Sequence, residues 1–484
     1  MVRLGNTARG ISCVTGGFFL HFSLGTFYTF GNISPYMASY LKYRTSNTWV
    51  NSGHMVWVFA FSALFLGLIM SLGGMLEKKV GARITCLIGG WSMSLGTILT
   101  YYAVKTNIWA VIVTYGVIFG GGSGLTYSVA ISAAMKWFPT KKGMVAGAVA
   151  AGYGLGSLIF NIVQTKYINP FNVSPNKTST VEKYFTNETV LNNVPFCFVI
   201  IGTAYAIIQL IGVILLMDSA FKKPSREVRL TLINSTKENE VEKQLKNGER
   251  LLDNEAKGLK ELPEIKQAKF RLDPKVLLTD SSVKEAIKDK RLWILCSTFF
   301  LNGIVIIIIS SLYKSFGQTF ISNDRYFSIV GAVAAIFNSG GRLVWGRLLD
   351  KISYRKMMTI LTISMSVMMG SFYFCGLVKH EMGVLIMYAI WVCLLFFCLS
   401  GSFAMFPAIT SQCFGTTNMA IIYGIVFLGF AVSGVIGALI CSSLLSLINY
   451  GGLFIVATLS SIISLVLTQF FPRPFNEDLP EKPI

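Results

Sequence analysis

The chain has 484 residues, 53% of them hydrophobic and only 13% charged, with a mean hydropathy of +0.59 and a formal net charge of +19. A soluble domain carries about a quarter charged residues, so this composition excludes an ordinary water-facing surface. The apolar residues fall in runs of roughly 20, enough to cross about 30 Å of hydrocarbon at 1.5 Å per residue.

In chain order, the first six runs predict spans at 11–30, 55–75, 84–104, 109–135, 144–163 and 196–217. The run from Ile11 is too long for a signal-peptide core and lacks a small-residue cleavage site, so no cleaved leader is expected. Between the fifth and sixth runs lies a polar loop with three glycosylation sequons, at Asn172, Asn176 and Asn187. Three in one loop on the external side argue for a glycoprotein. Asn234 also opens a sequon, but on the internal side.

Residues 218–291 hold 18 basic and 14 acidic residues and few aromatics. They lack the apolar area for a core and read as a cytosolic linker, partly helical or disordered. Six further runs follow, at 292–312, 326–349, 358–377, 384–406, 419–448 and 453–471. The expected fold class is therefore an all-α polytopic membrane protein. Its twelve transmembrane helices form two six-helix halves, residues 1–217 and 292–471, with a cytosolic tail at 472–484. Outside the linker, 14 basic residues fall on the side of the termini and 9 on the other. That bias makes both termini cytosolic, and the positive charge reads as orientation and attraction to anionic headgroups rather than to nucleic acid.

Nine scattered cysteines form no CxxC pair, and His21, His54 and His380 form no cluster, so neither a metal site nor a cofactor is expected. No nucleophile and base converge at one depth, which argues against an enzyme. No Asp or Glu falls inside a predicted span, and Arg342 is the one full charge at membrane depth. A central arginine costs about 2.5 kcal/mol or more and marks function by default. Its planar fork matches a carboxylate, which points to a small organic anion. The alternative is an arginine satisfied by backbone carbonyls or one that snorkels to the interface. His21 is the titratable candidate for proton coupling. Tyr28 and Tyr127 could present amphipathic rings to a carboxylate.

An internal repeat links the halves. Gly74, followed by Lys79 and Arg83, stands 272 residues before Gly346, followed by Asp350, Lys351 and Arg355. The second copy resembles the signature loop of the major facilitator superfamily: glycine, three residues, an acid beside a base, then a basic cluster. The first copy departs from it, with Lys78 in the acid's place and Glu77 one position early. Further segments are Gly120–Tyr127, Lys136-Trp-Phe-Pro139, Gly152-Tyr-Gly154-Leu-Gly156, Phe337–Gly346, Phe403–Pro407 and Tyr423-Gly424. Together they resemble the oxalate/formate antiporter-like branch, which is related to the monocarboxylate carriers.

The resemblance implies a secondary transporter that binds substrate near the midplane on Arg342 and works by alternating access. It also assigns Asn338 to the position where monocarboxylate carriers hold an aspartate, and Phe430 to the position where oxalate carriers hold a lysine. One cation suits a monoanion, so a monocarboxylate such as pyruvate, lactate or formate is expected, with a proton or a counter-anion as possible partner. A monomer in the plasma membrane is expected, an organelle membrane being the other option. The rival reading is a transport-dead sensor or scaffold signalling through the linker.

Overall fold

The computed structural model describes residues 6–217 and 281–472, apart from positions 46, 48, 51, 174, 176, 180, 181, 318, 322, 323 and 379. Most of the expected linker, the tail beyond 472, Asn176 and Asn234 lie outside the described residues. Twelve helices are long and apolar enough to cross a membrane. The first six are Thr7–Arg44, His54–Val80, Ala82–Ala103, Ile108–Met135, Lys142–Ile168 and Glu188–Leu215. The second six are Lys290–Ser310, Ile329–Leu349, Tyr354–Leu377, Glu381–Phe414, Met419–Cys441 and Leu447–Gln469.

Each predicted span is matched in order, and the differences lie at the ends. The first span runs past residue 30 to Arg44, through a 3-10 turn at Gly25–Thr29 and a second helix at Phe30–Arg44. Asn32, Ser34, Pro35 and Ser39 depress the hydropathy there, but Asn32 and Ser39 are not left bare. Asn32 Nδ2 donates to Thr165 Oγ1 at 2.9 Å, and Ser39 Oγ donates to the Pro35 carbonyl at 2.8 Å. The sixth span starts at Glu188 because Asn187 caps it, its Oδ1 accepting from Val190 N at 3.2 Å. The last two spans are two helices that meet end to end within Met419–Gln469, parted at Asn449, whose φ of 55° is not helical. The strands Lys177–Ser179 and Glu182–Tyr184 pair antiparallel in the loop before the sixth span. This small ribbon leaves the all-helical architecture unchanged.

The molecule has an apolar exterior and a polar seam inside. Ile207, Ile214, Ile329 and Ile455 are each more than half exposed, as lipid-facing residues are, while Thr26, Thr29, Gln164, Gln209, Asn302 and Arg342 are buried. Helices solve the backbone problem in hydrocarbon by satisfying their own N–H and C=O groups. Two helix pairs make the most extensive contacts between the first six spans and the last six. The fifth span packs along the eighth, and the second along the eleventh. Both seams are lined by glycine. A Cβ on Gly147 would overlap the Arg342 carbonyl, lying 3.0 Å from its carbon, and one on Gly346 would lie 2.9 Å from the Gly143 carbonyl carbon. Gly74 meets the Ile421 backbone in the other seam, at 2.6 Å from Cβ to N. Such close approach is what small residues give membrane helices.

Candidate functional site

Arg342 lies on the helix Asp324–Leu349 and is completely buried. Its Nε donates to Asn338 Oδ1 at 3.2 Å, one helical turn away, and its Nη1 donates to the Ala150 carbonyl on the fifth span at 3.0 Å. The guanidinium carbon stands 4.9 Å from the Phe403 ring centroid and 5.3 Å from that of Tyr153, within cation–π reach of both. Nη2 has no hydrogen-bond partner. An arginine with one bare nitrogen at this depth is expensive unless something else fills the position. Among the described residues it is the only buried member of the Asp, Glu, Lys and Arg set, so no protein carboxylate neutralises it there.

The polar groups around it belong together. Tyr127 OH, Tyr423 OH and His21 Nε2 are also buried without a hydrogen bond of normal geometry, although Tyr127 interacts with both Arg342 and Tyr423. The rings form a chain: His21 to Tyr127 at 4.7 Å, Tyr127 to Tyr153 at 5.7 Å, and Tyr127 to Tyr423 at 6.4 Å. Tyr28, half-buried, stands 5.3 Å from Tyr153 and 6.4 Å from Phe403, and it falls within electrostatic range of Arg342. The first, fourth, fifth, eighth, tenth and eleventh spans thus each contribute a side chain to one cluster. Chemically it offers a fixed cation and several hydroxyl donors, walled by aromatic faces.

The residues named from sequence do not all stand in the same relation to this cluster. Arg342, Tyr127, Tyr28 and His21 come together. Asn338 is spent on positioning: its Oδ1 holds Arg342, and its Nδ2 donates to the Phe396 carbonyl at 3.3 Å. Phe430 sits one ring further out, 5.2 Å from Phe403 and 5.4 Å from Phe299, in an apolar wall. Tyr153, Tyr423 and Phe403 also join the cluster, and the sequence marks them only through the motifs they sit in. The signal for Tyr153 was its place between Gly152 and Gly154, which bring its backbone against neighbouring helices.

The repeated loops lie at one end of the seams. Asp350 Oδ1 accepts from Gly143 N at 2.7 Å and Oδ2 from Met144 N at 2.8 Å, so the carboxylate crosses to the N-terminus of the fifth span. Burial pushes this carboxyl up, against the Met144 and Gly143 N–H groups and the nearby Lys141 and Lys142, which favour the anion. The first copy works differently. Glu77 pairs with Lys136 at 2.5 Å within the first six spans. Lys78, in the acid's place, donates instead to Asn418 Oδ1 at the start of the eleventh span. Lys79 and Lys351 are exposed. Arg83 donates to the Leu216 carbonyl, and Arg355 to Gln469 Oε1 at 3.2 Å.

Asn418 also binds the end of the linker region, donating to the Ser281 carbonyl at 2.6 Å. Ser281 N in turn donates to the Phe414 carbonyl at 3.1 Å. The next residues form a short helix, Val283–Lys288, with a capping box between Ser282 and Glu285. In the opposite loop, Asn172 is exposed in a turn with φ 51°, and Asn187 is the helix cap already described.

Several known proteins are similar to this chain. Over 467 residues the chain is 29% identical to apicoplast pyruvate carrier 1 of Toxoplasma gondii, covering 86% of this chain and 80% of the relative. It is 24% identical to the oxalate:formate antiporter of Oxalobacter formigenes, covering 83% and 78%. In fold it resembles the proton:xylose symporter XylE bound to 6-bromo-6-deoxy-D-glucose, with a TM-score of 0.63, 13% identity, and 97% and 96% of the two chains covered. The profile of the Major Facilitator Superfamily matches residues 15–420 and 295–483. The chain belongs to the Major Facilitator Superfamily and is one of its multi-pass membrane transporters.

Proposed function

We propose that this transporter carries a small monocarboxylate, of the pyruvate, lactate or formate type, by alternating access around Arg342. The observation that carries the reading is the bare Nη2 of a buried arginine among Tyr127 and Tyr423 hydroxyls that lack a hydrogen bond of normal geometry. A carboxylate would accept from Nη2 and from a tyrosine hydroxyl together, turning buried unmade bonds into charge-assisted ones. One cation neutralises one carboxylate. Where a dianion would need a second cation, the eleventh span offers Phe430 in an apolar wall, which favours a monoanion. The pyruvate carrier and the oxalate:formate antiporter among the relatives support the substrate class.

Residues 1–217 and 292–471 are the proposed moving halves, with both termini on the cytosolic side and the plasma membrane as the proposed location. A proton or a counter-anion is the proposed second partner, and Gly74, Gly346 and Asp350 are proposed to close the cytosolic side. The test is uptake of labelled pyruvate, lactate, formate and oxalate into proteoliposomes, with and without a pH gradient, for the wild type and Arg342→Ala. Saturable monocarboxylate uptake that Arg342→Ala abolishes is the expected result. Undiminished uptake by Arg342→Ala would remove the anion site. Equal rates with and without the gradient would remove the proton.

A further inference from the structure

The cluster around Arg342 is rich in donors, and His21 breaks that pattern. Its Nδ1 lies 3.1 Å from the Gly17 carbonyl oxygen, one turn back along the first span. A carbonyl can only accept, so Nδ1 carries the hydrogen. In the neutral ring, Nε2 is then an acceptor by elimination. Nε2 is completely buried and has no partner, and its ring stands 4.7 Å, centroid to centroid, from that of Tyr127, whose hydroxyl also lacks a hydrogen bond of normal geometry. His21 also lies within electrostatic range of Arg342.

A carboxylate cannot satisfy this atom, because all its oxygens are acceptors. A 2-oxo group cannot either, for the same reason. A hydroxyl on the carbon next to the carboxylate can. It donates to Nε2 and accepts from Tyr127 OH while the carboxylate rests on Nη2. We propose that His21, as a hydrogen-bond acceptor of fixed tautomer, makes this transporter prefer 2-hydroxy monocarboxylates over 2-oxo and unsubstituted ones of the same size. The inference rests on Arg342 being the carboxylate site. A site built to bond a substrate hydroxyl discriminates against analogues that lack it, because its own polar atom is left unmade. A preference of about tenfold corresponds to about 1.4 kcal/mol, within the range for one neutral hydrogen bond.

The experiment is competition against labelled L-lactate in counterflow at pH 7.5 on both sides, so that no gradient contributes. Glycolate and propionate form one pair, alike in size and differing by OH for CH3, and L-lactate and pyruvate form the other. In the wild type, glycolate and L-lactate are expected to compete about tenfold better than propionate and pyruvate. His21→Phe keeps a ring against Tyr127 and removes the acceptor, and it is expected to collapse both ratios towards one. His21→Gln, whose amide carbonyl can accept, is expected to retain part of them. Equal competition within each pair in the wild type would overturn the proposal even if the variants fail to fold. Unchanged ratios in a folded His21→Phe would overturn the assignment to His21. Failure of the underlying reading looks different: Arg342→Lys would then transport every carboxylate as the wild type does, whatever the ratios.

Discussion

Replacing Gly147 by alanine places a methyl group where the eighth span's backbone already lies. The new Cβ would overlap the Arg342 carbonyl oxygen and stand 3.0 Å from its carbon and 3.4 Å from Leu343 Cα. Backbone cannot rotate away as a side chain does, so the fifth and eighth spans must separate by a few tenths of an ångström or more. Forcing a methyl into a packed contact costs about 1–3 kcal/mol. The cost falls only on the conformation in which this seam is closed. Alternating access requires another in which it is open, so the equilibrium shifts towards opening by about 5- to 150-fold. Spin labels at Lys141 and Lys351, on either side of the seam near Gly143 and Gly346, report it as a longer distance population. Transport is expected to slow, because one half of the cycle becomes rare. An unchanged distance distribution with unchanged transport would refute the idea that this contact closes and opens.

Four further outcomes are expected. Asp350→Asn leaves one acceptor where two N–H groups of the fifth span are now held; loss of a charge-assisted bond costs about 1.5–3 kcal/mol, and the same labels should report opening. Asn418→Ala removes both the Lys78 contact and the Ser281 contact; protease cleavage within residues 218–280 should quicken, and an unchanged rate would detach that end from the eleventh span. Asn187→Ala removes a helix cap and should lower the thermal midpoint, at a cost of about 0.5–2 kcal/mol; in glycosylating cells it should also raise gel mobility if that sequon is used. Arg342→Lys keeps the charge but cannot reproduce the fork that meets Asn338 and Ala150, so substrate affinity should fall while protein still reaches the membrane.

Twelve apolar runs in order were legible because hydrocarbon leaves the backbone little choice and the length requirement is rigid. Span ends were less so. Asn32 and Ser39 look like loop residues in a hydropathy reading and are helical because Thr165 and the Pro35 carbonyl receive their polar atoms. The repeat announced two equivalent loops, yet their contacts differ. Asp350 reaches across to the fifth span, whereas Glu77 turns back to Lys136 and leaves Lys78 to meet Asn418.

Sequence by itself determined that a single arginine lies at membrane depth with no acid beside it, since charge and depth are both written along the chain. Which atoms of that arginine are bare was decided only by tertiary structure. Ala150 takes Nη1 from a helix 192 residues away, Asn338 takes Nε, and Nη2 remains. The same holds for Tyr153, Tyr423 and Phe403, which join Tyr127 around it from three different spans. Such convergence depends on how helices cross, and the glycine seams that set those crossings act through distances no linear pattern contains.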